Sequence, residues 1–299
     1  MSLENPYIHP ARIKAALRTL ELTPTRGMGQ NFLLDSYALE TIVRAAELAP
    51  DDTVLEIGPG LGVLTWELLQ RAARVVTVEL DKRLAARLHT ELGHDPKLSI
   101  VQSDILKIAP EAALAANGAP AELLGQPYKV VANLPYAITS AVLRHLLESA
   151  QRPTVLVVLV QWEVAKRITA KPGDLSVLAH SVQVYAEAEI IEKVPGSSFL
   201  PPPAVDSAIM RLRVRPQPLV PEAEIASHMR LIKAGFLQAR KKLSNALPSG
   251  LASIGVQVSK EQMGEALAAA QINPDRRAET LTFAEWQALY QQLPALHPR

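Results

Sequence analysis

The sequence predicts a doubly wound α/β domain, built on a mostly parallel sheet, followed by a small all-helical domain. Three observations point there. Between about residues 38 and 214, short β-rich runs alternate with helical patterns. One of those runs, Val54 to Ile57, leads straight into a glycine-rich turn, Gly58-Pro59-Gly60-Leu61-Gly62. After a proline-rich linker, Arg215-Pro216-Gln217-Pro218 to Pro221, strand signals cease and about residues 222 to 293 read as short helices.

In chain order, strands are expected at Thr53–Gly58, Arg74–Leu80, Leu98–Ser103, Lys129–Leu134, Thr154–Gln161, Val182–Ile191 and Ser207–Val214. Each is rich in β-branched or other apolar residues. The intervening helices are expected at Leu39–Leu48, Gly62–Arg71, Lys82–Leu92, Ser140–Ser149 and Trp162–Ala170. The last two strands are joined only by a loop, Pro195 to Pro203, so they are expected to pair antiparallel at one edge. Ala112–Ala121 reads as an alanine-rich surface helix or loop without chemistry. The expected divisions are an N-terminal segment, 1–37, that contributes to a cofactor lid, the α/β domain, 38–215, and the helical domain, 216–299.

Composition narrows the function classes. The 299 residues are 48% hydrophobic and 20% charged, with a net charge of +1, as in ordinary globular proteins. With no cysteine, disulfides, thiolate zinc sites and thiol catalysis are excluded. The seven histidines show no metal-ligand spacing, so no metal is expected. The longest strongly apolar run, Val155 to Val160, falls far short of the ~20 residues that span a bilayer. The N-terminus lacks the apolar stretch of a signal peptide. A cytoplasmic protein is expected. Charge is uneven: Asp206 to Arg299 holds 12 Lys/Arg against 8 Asp/Glu, which suits either phosphate binding or ordinary solvated helix faces.

The glycine turn lets the backbone approach a ligand where a Cβ would collide with it. Its G-x-G-x-G spacing behind Glu56 favours S-adenosyl-L-methionine over a pyrophosphate dinucleotide. Glu79, at the end of the second strand, is placed to accept both ribose hydroxyls. Asp104, after the third strand, suits the adenine amine, and suits a turn cap equally well. An NAD-dependent dehydrogenase also fits the loop, but it leaves the next motif without a role.

That motif is Asn133-Leu134-Pro135-Tyr136, directly after the fourth strand. It suits chemistry on an exocyclic amine of a flat base. The Asn133 side-chain oxygen accepts one amine N–H, the Leu134 carbonyl next to Pro135 accepts another, and the Tyr136 ring lies against the base. Phe199, in a proline-stiffened loop, is a second candidate for stacking. The glycine turn, Glu79, Asp104 and Asn133 stand at the ends of four successive strands, where ligands bind in such sheets.

With these residues in place the sequence resembles the KsgA/RsmA family of small-subunit rRNA adenine N6,N6-dimethyltransferases. The likeness begins at Gly29-Gln30-Asn31-Phe32-Leu33-Leu34-Asp35 and continues through Glu56–Gly62, Glu79, Asp104 and Asn133–Tyr136. It takes in Gln161-x-Glu163-Val164-Ala165-x-Arg167, Leu175–Leu178 and the loop Phe199-Leu200-Pro201-Pro202-Pro203-Ala204-Val205-Asp206-Ser207. In the tail it rests on Phe236, Arg240-Lys241-Lys242-Leu243, Asn245, Arg276-Arg277-Ala278-Glu279 and Leu281. Trp162, Ala204 and Ala239 depart from it, each removing a positive charge from an RNA-facing pattern.

The resemblance implies a class I S-adenosylmethionine-dependent methyltransferase, Rossmann-like, with a seven-stranded sheet whose last strand is antiparallel. It implies that Asn31 and Leu33 contact the cofactor with Gly58, Gly60, Glu79, Asp104 and Asn133. Asn133, Leu134, Pro135, Tyr136 and Phe199 are then the catalytic group, and Arg240, Lys241 and Lys242 are RNA contacts. The implied substrate is 16S rRNA in the small ribosomal subunit or its precursor, modified at two adjacent adenosines in the loop of the 3′-terminal helix, and the implied protein is a monomer. Three other readings stay open: a 23S rRNA adenine methyltransferase of the macrolide-resistance type, a non-catalytic ribosome assembly factor and, more distantly, a DNA adenine methyltransferase.

Overall fold

The structure is a computed structural model that describes residues 5–22, 31–116 and 125–297. Gly29, Gln30 and the second half of the alanine-rich insert lie outside the described residues. The described elements of the α/β part, in chain order, begin with α1 (Pro10–Thr19), β1 (Phe32–Leu33) and α2 (Ser36–Ala45). Then come β2 (Thr53–Ile57), α3 (Val63–Leu69), β3 (Arg74–Glu79), α4 (Lys82–Leu92), β4 (Leu98–Gln102) and α5 (Pro110–Ala115). They continue with β5 (Lys129–Asn133), α6 (Thr139–Leu147), β6 (Val155–Gln161) and α7 (Trp162–Ile168). After α8 (Val177–Gln183) follow β7 (Ala186–Val194), β8 (Phe199–Leu200) and β9 (Ser207–Val214), then α9 (Glu222–Phe236), α10 (Leu243–Ser253), α11 (Lys260–Ala269) and α12 (Phe283–Gln291).

Seven strands form one sheet in the order β4-β3-β2-β5-β6-β9-β7. The pairs β3–β4, β2–β3, β2–β5 and β5–β6 are parallel, and β9 runs antiparallel to β6. The expected fold class is thus met. Covered on both faces, β2, β3, β5 and β6 carry near-continuous apolar runs, and Val54, Leu55, Val130, Val131 and Leu156–Val160 are fully buried. Strand order reverses between β2 and β5, which opens a crevice at their carboxyl ends. Both the glycine turn, after β2, and Asn133, the last residue of β5, fall there.

Two short elements cover one side of that crevice. In a two-stranded ladder, Phe32 pairs with Leu200 and Leu33 with Phe199. The ladder is tied down by Leu34 N–H to the Ser198 carbonyl at 2.8 Å and by the Ser198 hydroxyl to the Asp35 carboxylate at 2.7 Å. The same Asp35 side chain caps α2 by accepting from the N–H groups of Tyr37 and Ala38. Two-residue strands carry no periodicity, so neither was readable beforehand.

The chain divides into two compact units, Met1–Ala165 with Ala188–Val214, and Lys166–Glu187 with Arg215–Arg299. The segment 166–187 thus groups with the helices rather than with the sheet. It also corrects one strand: Val182–Ile191 was expected to be extended, but α8 runs to Gln183 and the strand starts only at Ala186. Ser176 caps α8 by accepting from Ala179 N–H, and the Gln183 amide donates to the carbonyls of Ile168 and Ala170. A short apolar run does not tell helix from strand, and these caps decide it.

Within the helical unit, Trp286 is fully buried and lies against Gly235 of α9. His180 and His228 are buried among Phe236, Phe283 and Tyr290 as core histidines. α11 and α12 each start in a capping box, Ser259 with Gln262 and Thr282 with Glu285.

Candidate active site

The crevice of the α/β unit holds a cavity of about 480 Å³, a size that suits a cofactor. Asn31, Leu33, Gly58, Gly60, Glu79 and Asn133 all line it. The six come from four separate stretches of chain, and only the parallel crossovers bring them together. Pro135 also lines the cavity, whereas Leu134, Tyr136, Asp104 and Phe199 do not.

The turn after β2 is built for close approach. Gly60 has φ +58°, and a Cβ there would sit 3.2 Å from the Phe32 ring. Gly62, at φ +83°, would carry its Cβ 2.9 Å from Leu88. A side chain at either position meets both backbone strain and a neighbour. Glu79, almost fully buried, presents its carboxylate to the same turn. One oxygen accepts from Gly60 N–H at 3.1 Å and the other from Asp81 N–H at 2.9 Å. A carboxylate oxygen accepts more than one bond, so ribose hydroxyls can still be received. Burial holds the Glu79 carboxyl above the usual carboxylate range.

Behind it lies Glu56, which sequence reading treated only as an acidic neighbour of the loop. It is 1% exposed, lines the cavity and is hydrogen-bonded to the Thr65 hydroxyl at 2.6 Å. Burial pushes its pKa up to about 8, with the nearby Glu79 adding to the rise. The cavity thus contains two carboxyl groups with depressed acidity. Phe32 and the two-thirds exposed Leu80 supply apolar wall. The only advance signal for Leu80 was an apolar residue at a strand's carboxyl end.

Asn133 is held by a donor bond from its Nδ2 to the Asn31 backbone carbonyl at 3.0 Å. A carbonyl only accepts, so the amide nitrogen must face it, and that bond leaves the side-chain oxygen as the uncommitted acceptor. Leu134 is anchored by its N–H to the Leu159 carbonyl at 3.2 Å. Pro135 lines the wall, and the Tyr136 hydroxyl lies 2.6 Å from the Ser207 hydroxyl. Burial raises the Tyr136 pKa, so the phenol stays neutral at physiological pH.

Two of the expected site residues do not line the cavity. Asp104 does not reach the cavity: its Oδ1 accepts from Leu106 N–H at 3.0 Å and its Oδ2 lies 3.8 Å from the Lys107 ammonium. It closes an Asx turn after β4, the alternative role its position allowed. Phe199 is 2% exposed and packs in the core as part of the β1–β8 ladder. Arg240, Lys241 and Lys242 belong to the helical unit, exposed between α9 and α10, with Lys242 paired to Asp275 at 2.9 Å. Among the described residues, no group of three His, Asp or Glu is placed to hold a metal ion.

The comparison that decides the family is a match over residues 24–289 to ribosomal RNA adenine dimethylase. The chain belongs to the ribosomal RNA adenine dimethylase family. It is 44% identical over 281 residues to the ribosomal RNA small subunit methyltransferase A of Dehalococcoides mccartyi strain CBDB1, covering 93% of this chain and 91% of that protein. To the protein of the same name from Moorella thermoacetica it is 42% identical over 286 residues, 95% and 97% of the two chains. Among solved structures it is similar to the 23S rRNA methyltransferase ErmE, with TM-score 0.67, 32% identity and coverage of 88% and 99%. It is also similar to a dimethyladenosine transferase from Plasmodium falciparum, with TM-score 0.71, 25% identity and coverage of 86% and 95%. For a dimethylase of this family, the glycine turn, the buried Glu79 and Asn133 on one cavity are a donor set that fits S-adenosylmethionine.

Proposed function

We propose that the protein dimethylates N6 of two adjacent adenosines in the loop of the 3′-terminal helix of 16S rRNA, within the small ribosomal subunit or its precursor. The observation that carries this reading is the Asn133–Tyr136 segment, placed at the carboxyl end of β5 beside a cofactor-sized cavity, with the Asn133 amide oriented by Asn31. The small-subunit target is favoured by the names and the 42–44% identity of the two relatives over nearly the whole chain. On this reading the protein is a cytoplasmic monomer.

S-adenosylmethionine, when bound, supplies an electrophilic methyl group. Asn31, Leu33, Gly58, Gly60 and Glu79 are the residues that would hold it. The adenine amine is a weak nucleophile because its lone pair is delocalised into the ring. The Asn133 side-chain oxygen and the Leu134 carbonyl accept its N–H bonds and favour a more tetrahedral nitrogen, with the lone pair freed. This is catalysis by positioning and electrostatics, and it requires no strong base. Asn performs it without adding a third carboxylate beside Glu56 and Glu79. The proton leaves the nitrogen for solvent after transfer. The target base must leave its stack first, at a cost of a few kcal/mol, and Tyr136, fixed by Ser207, offers the ring on which it lands.

The test is transfer from labelled S-adenosylmethionine to small subunits lacking the modification, followed by nucleoside analysis, with large subunits in parallel. N6,N6-dimethyladenosine confined to the small subunit supports the proposal. Label confined to the large subunit moves the chain to the activity named for ErmE. Binding without label in either discards the catalytic roles.

A further inference from the structure

Trp162 is one of the three departures from the expected pattern, and the structure gives it a defined setting. It follows Gln161, the last residue of β6, and is partly exposed. Its backbone N–H donates to the Asp206 carbonyl at 3.0 Å. The Lys193 ammonium lies 5.3 Å from the centre of its ring and 2.8 Å from the Asp206 carboxylate. The other Asp206 oxygen accepts from Gly196 N–H at 3.2 Å. Lys193 and Asp206 are both about half exposed at their side chains. An indole and an ammonium thus lie together at the base of the proline-rich loop, both partly open to solvent.

The position relative to Tyr136 is the second observation. Ser207, which bonds the Tyr136 hydroxyl, pairs with Gln161 across the β6–β9 ladder. The next residue back, Asp206, holds Trp162 and Lys193. The Trp162 backbone and the Tyr136 hydroxyl are therefore held at consecutive positions of one strand entry, whose Cα atoms are ~3.8 Å apart. The segment that carries Trp162 thus lies beside the strand position that holds the Tyr136 hydroxyl.

We propose that Trp162 and Lys193 form a subsite for the nucleotide flanking the target adenosine, with the indole stacking on its base and the ammonium meeting its phosphate. The subsite rests on the RNA-modifying reading above and extends it. Single-stranded RNA is held by this combination of aromatic face and positive charge, independently of base identity. In the free protein Asp206 occupies the ammonium. Asp206 is also held by Gly196, so a phosphate shares the three donors of the ammonium with it, and the cation keeps its position against the ring.

The experiment is equilibrium binding of a short single-stranded RNA and of unmethylated small subunits, followed by intrinsic tryptophan fluorescence and filter retention. It uses wild type, Trp162→Ala, Trp162→Phe and Lys193→Gln, with thermal melts to confirm folding. Trp162→Ala should weaken binding by about 5- to 100-fold, the range for loss of one base–aromatic stack. Trp162→Phe should restore affinity while abolishing the quenching that RNA produces in wild type. Lys193→Gln should reduce the salt slope of binding by less than about 0.7, one phosphate's worth on a single strand, because Asp206 already compensates part of the charge. In turnover, KM for the small subunit should rise in Trp162→Ala with kcat little changed. Wild-type affinity for a folded Trp162→Ala, or equal quenching in Trp162→Phe, overturns the subsite. Failure of wild type to methylate, with Trp162-dependent binding intact, overturns the reaction and leaves the subsite standing.

Discussion

The Asn133 side chain donates to the backbone carbonyl of Asn31 at 3.0 Å, across 102 residues of chain. One bond thus joins the start of the catalytic segment to the residue that precedes β1. It turns the amide nitrogen to that carbonyl, and it ties the end of β5 to β1, whose Phe32 and Leu33 line the cavity.

Asn133→Ala and Tyr136→Ala should both fold and retain useful cofactor affinity, because neither removes the glycine turn or Glu79. Each should lose about 10²-fold or more in methyl transfer, the scale of removing one preorganised polar group. Single-turnover rates with labelled cofactor check this. Turnover near that of wild type in either variant would sink the assignment.

Gly60→Ala should weaken cofactor binding by about tenfold or more, with a smaller fall in thermal stability. The new methyl must fit at φ +58° and 3.2 Å from the Phe32 ring, on the wall of the cavity itself. Calorimetric titration with S-adenosylmethionine measures it, and unchanged affinity would show that Phe32 yields freely.

Glu56 should make the protein less stable as pH rises. Its folded pKa of about 8 lies above the 4.5 of a free glutamate side chain. Below the unfolded value both states hold the proton and there is no penalty. Between the two values the unfolded chain has released its proton while the folded one has not, so stability falls until pH passes the folded value. Glu79 is shifted in the same direction and adds to the slope. Glu56→Gln mimics the protonated form and should flatten the decline in Tm between pH 5 and pH 8. An equally steep decline in that variant would remove Glu56 as its source.

Gly250→Ala should destabilise the helical unit by about 1–3 kcal/mol, the cost of overpacking a close contact. Its Cβ would fall on the carbonyl of Ala234 in α9, a backbone group that cannot swing aside. Denaturant melts monitored at Trp286 report on this unit, and a midpoint within error of wild type would show that α10 shifts at no cost.

Neutralising Arg240, Lys241 and Lys242 together should weaken RNA binding and flatten its salt dependence, if they meet phosphate as their exposure allows. Lys242 should contribute least, since its Asp275 partner already compensates it. Salt titrations of binding decide the matter, and an unchanged slope would make the three a solvated helix boundary.

The sequence by itself determined the fold class and the family. Alternating β and α runs of the right length admit few sheets, and the G-x-G-x-G turn, Glu79 and Asn-Leu-Pro-Tyr each mark the carboxyl end of a strand. Such signals are local, so the chain carries them openly. Which residues reach the cavity was decided by tertiary structure alone. Glu79 is the last residue of β3 and lines the cavity, whereas Asp104 lies two residues beyond β4, where it closes a turn with Leu106. Phe199 has the look of a stacking residue, but pairing with Leu33 draws it into the core. Glu56 is marked in the sequence by its place before the glycine turn, but only burial, with Glu79 nearby, makes it a weak acid. The orientation of Asn133 likewise rests on a carbonyl 102 residues away. Burial, partner choice and amide orientation depend on contacts between distant segments, and no local pattern encodes them.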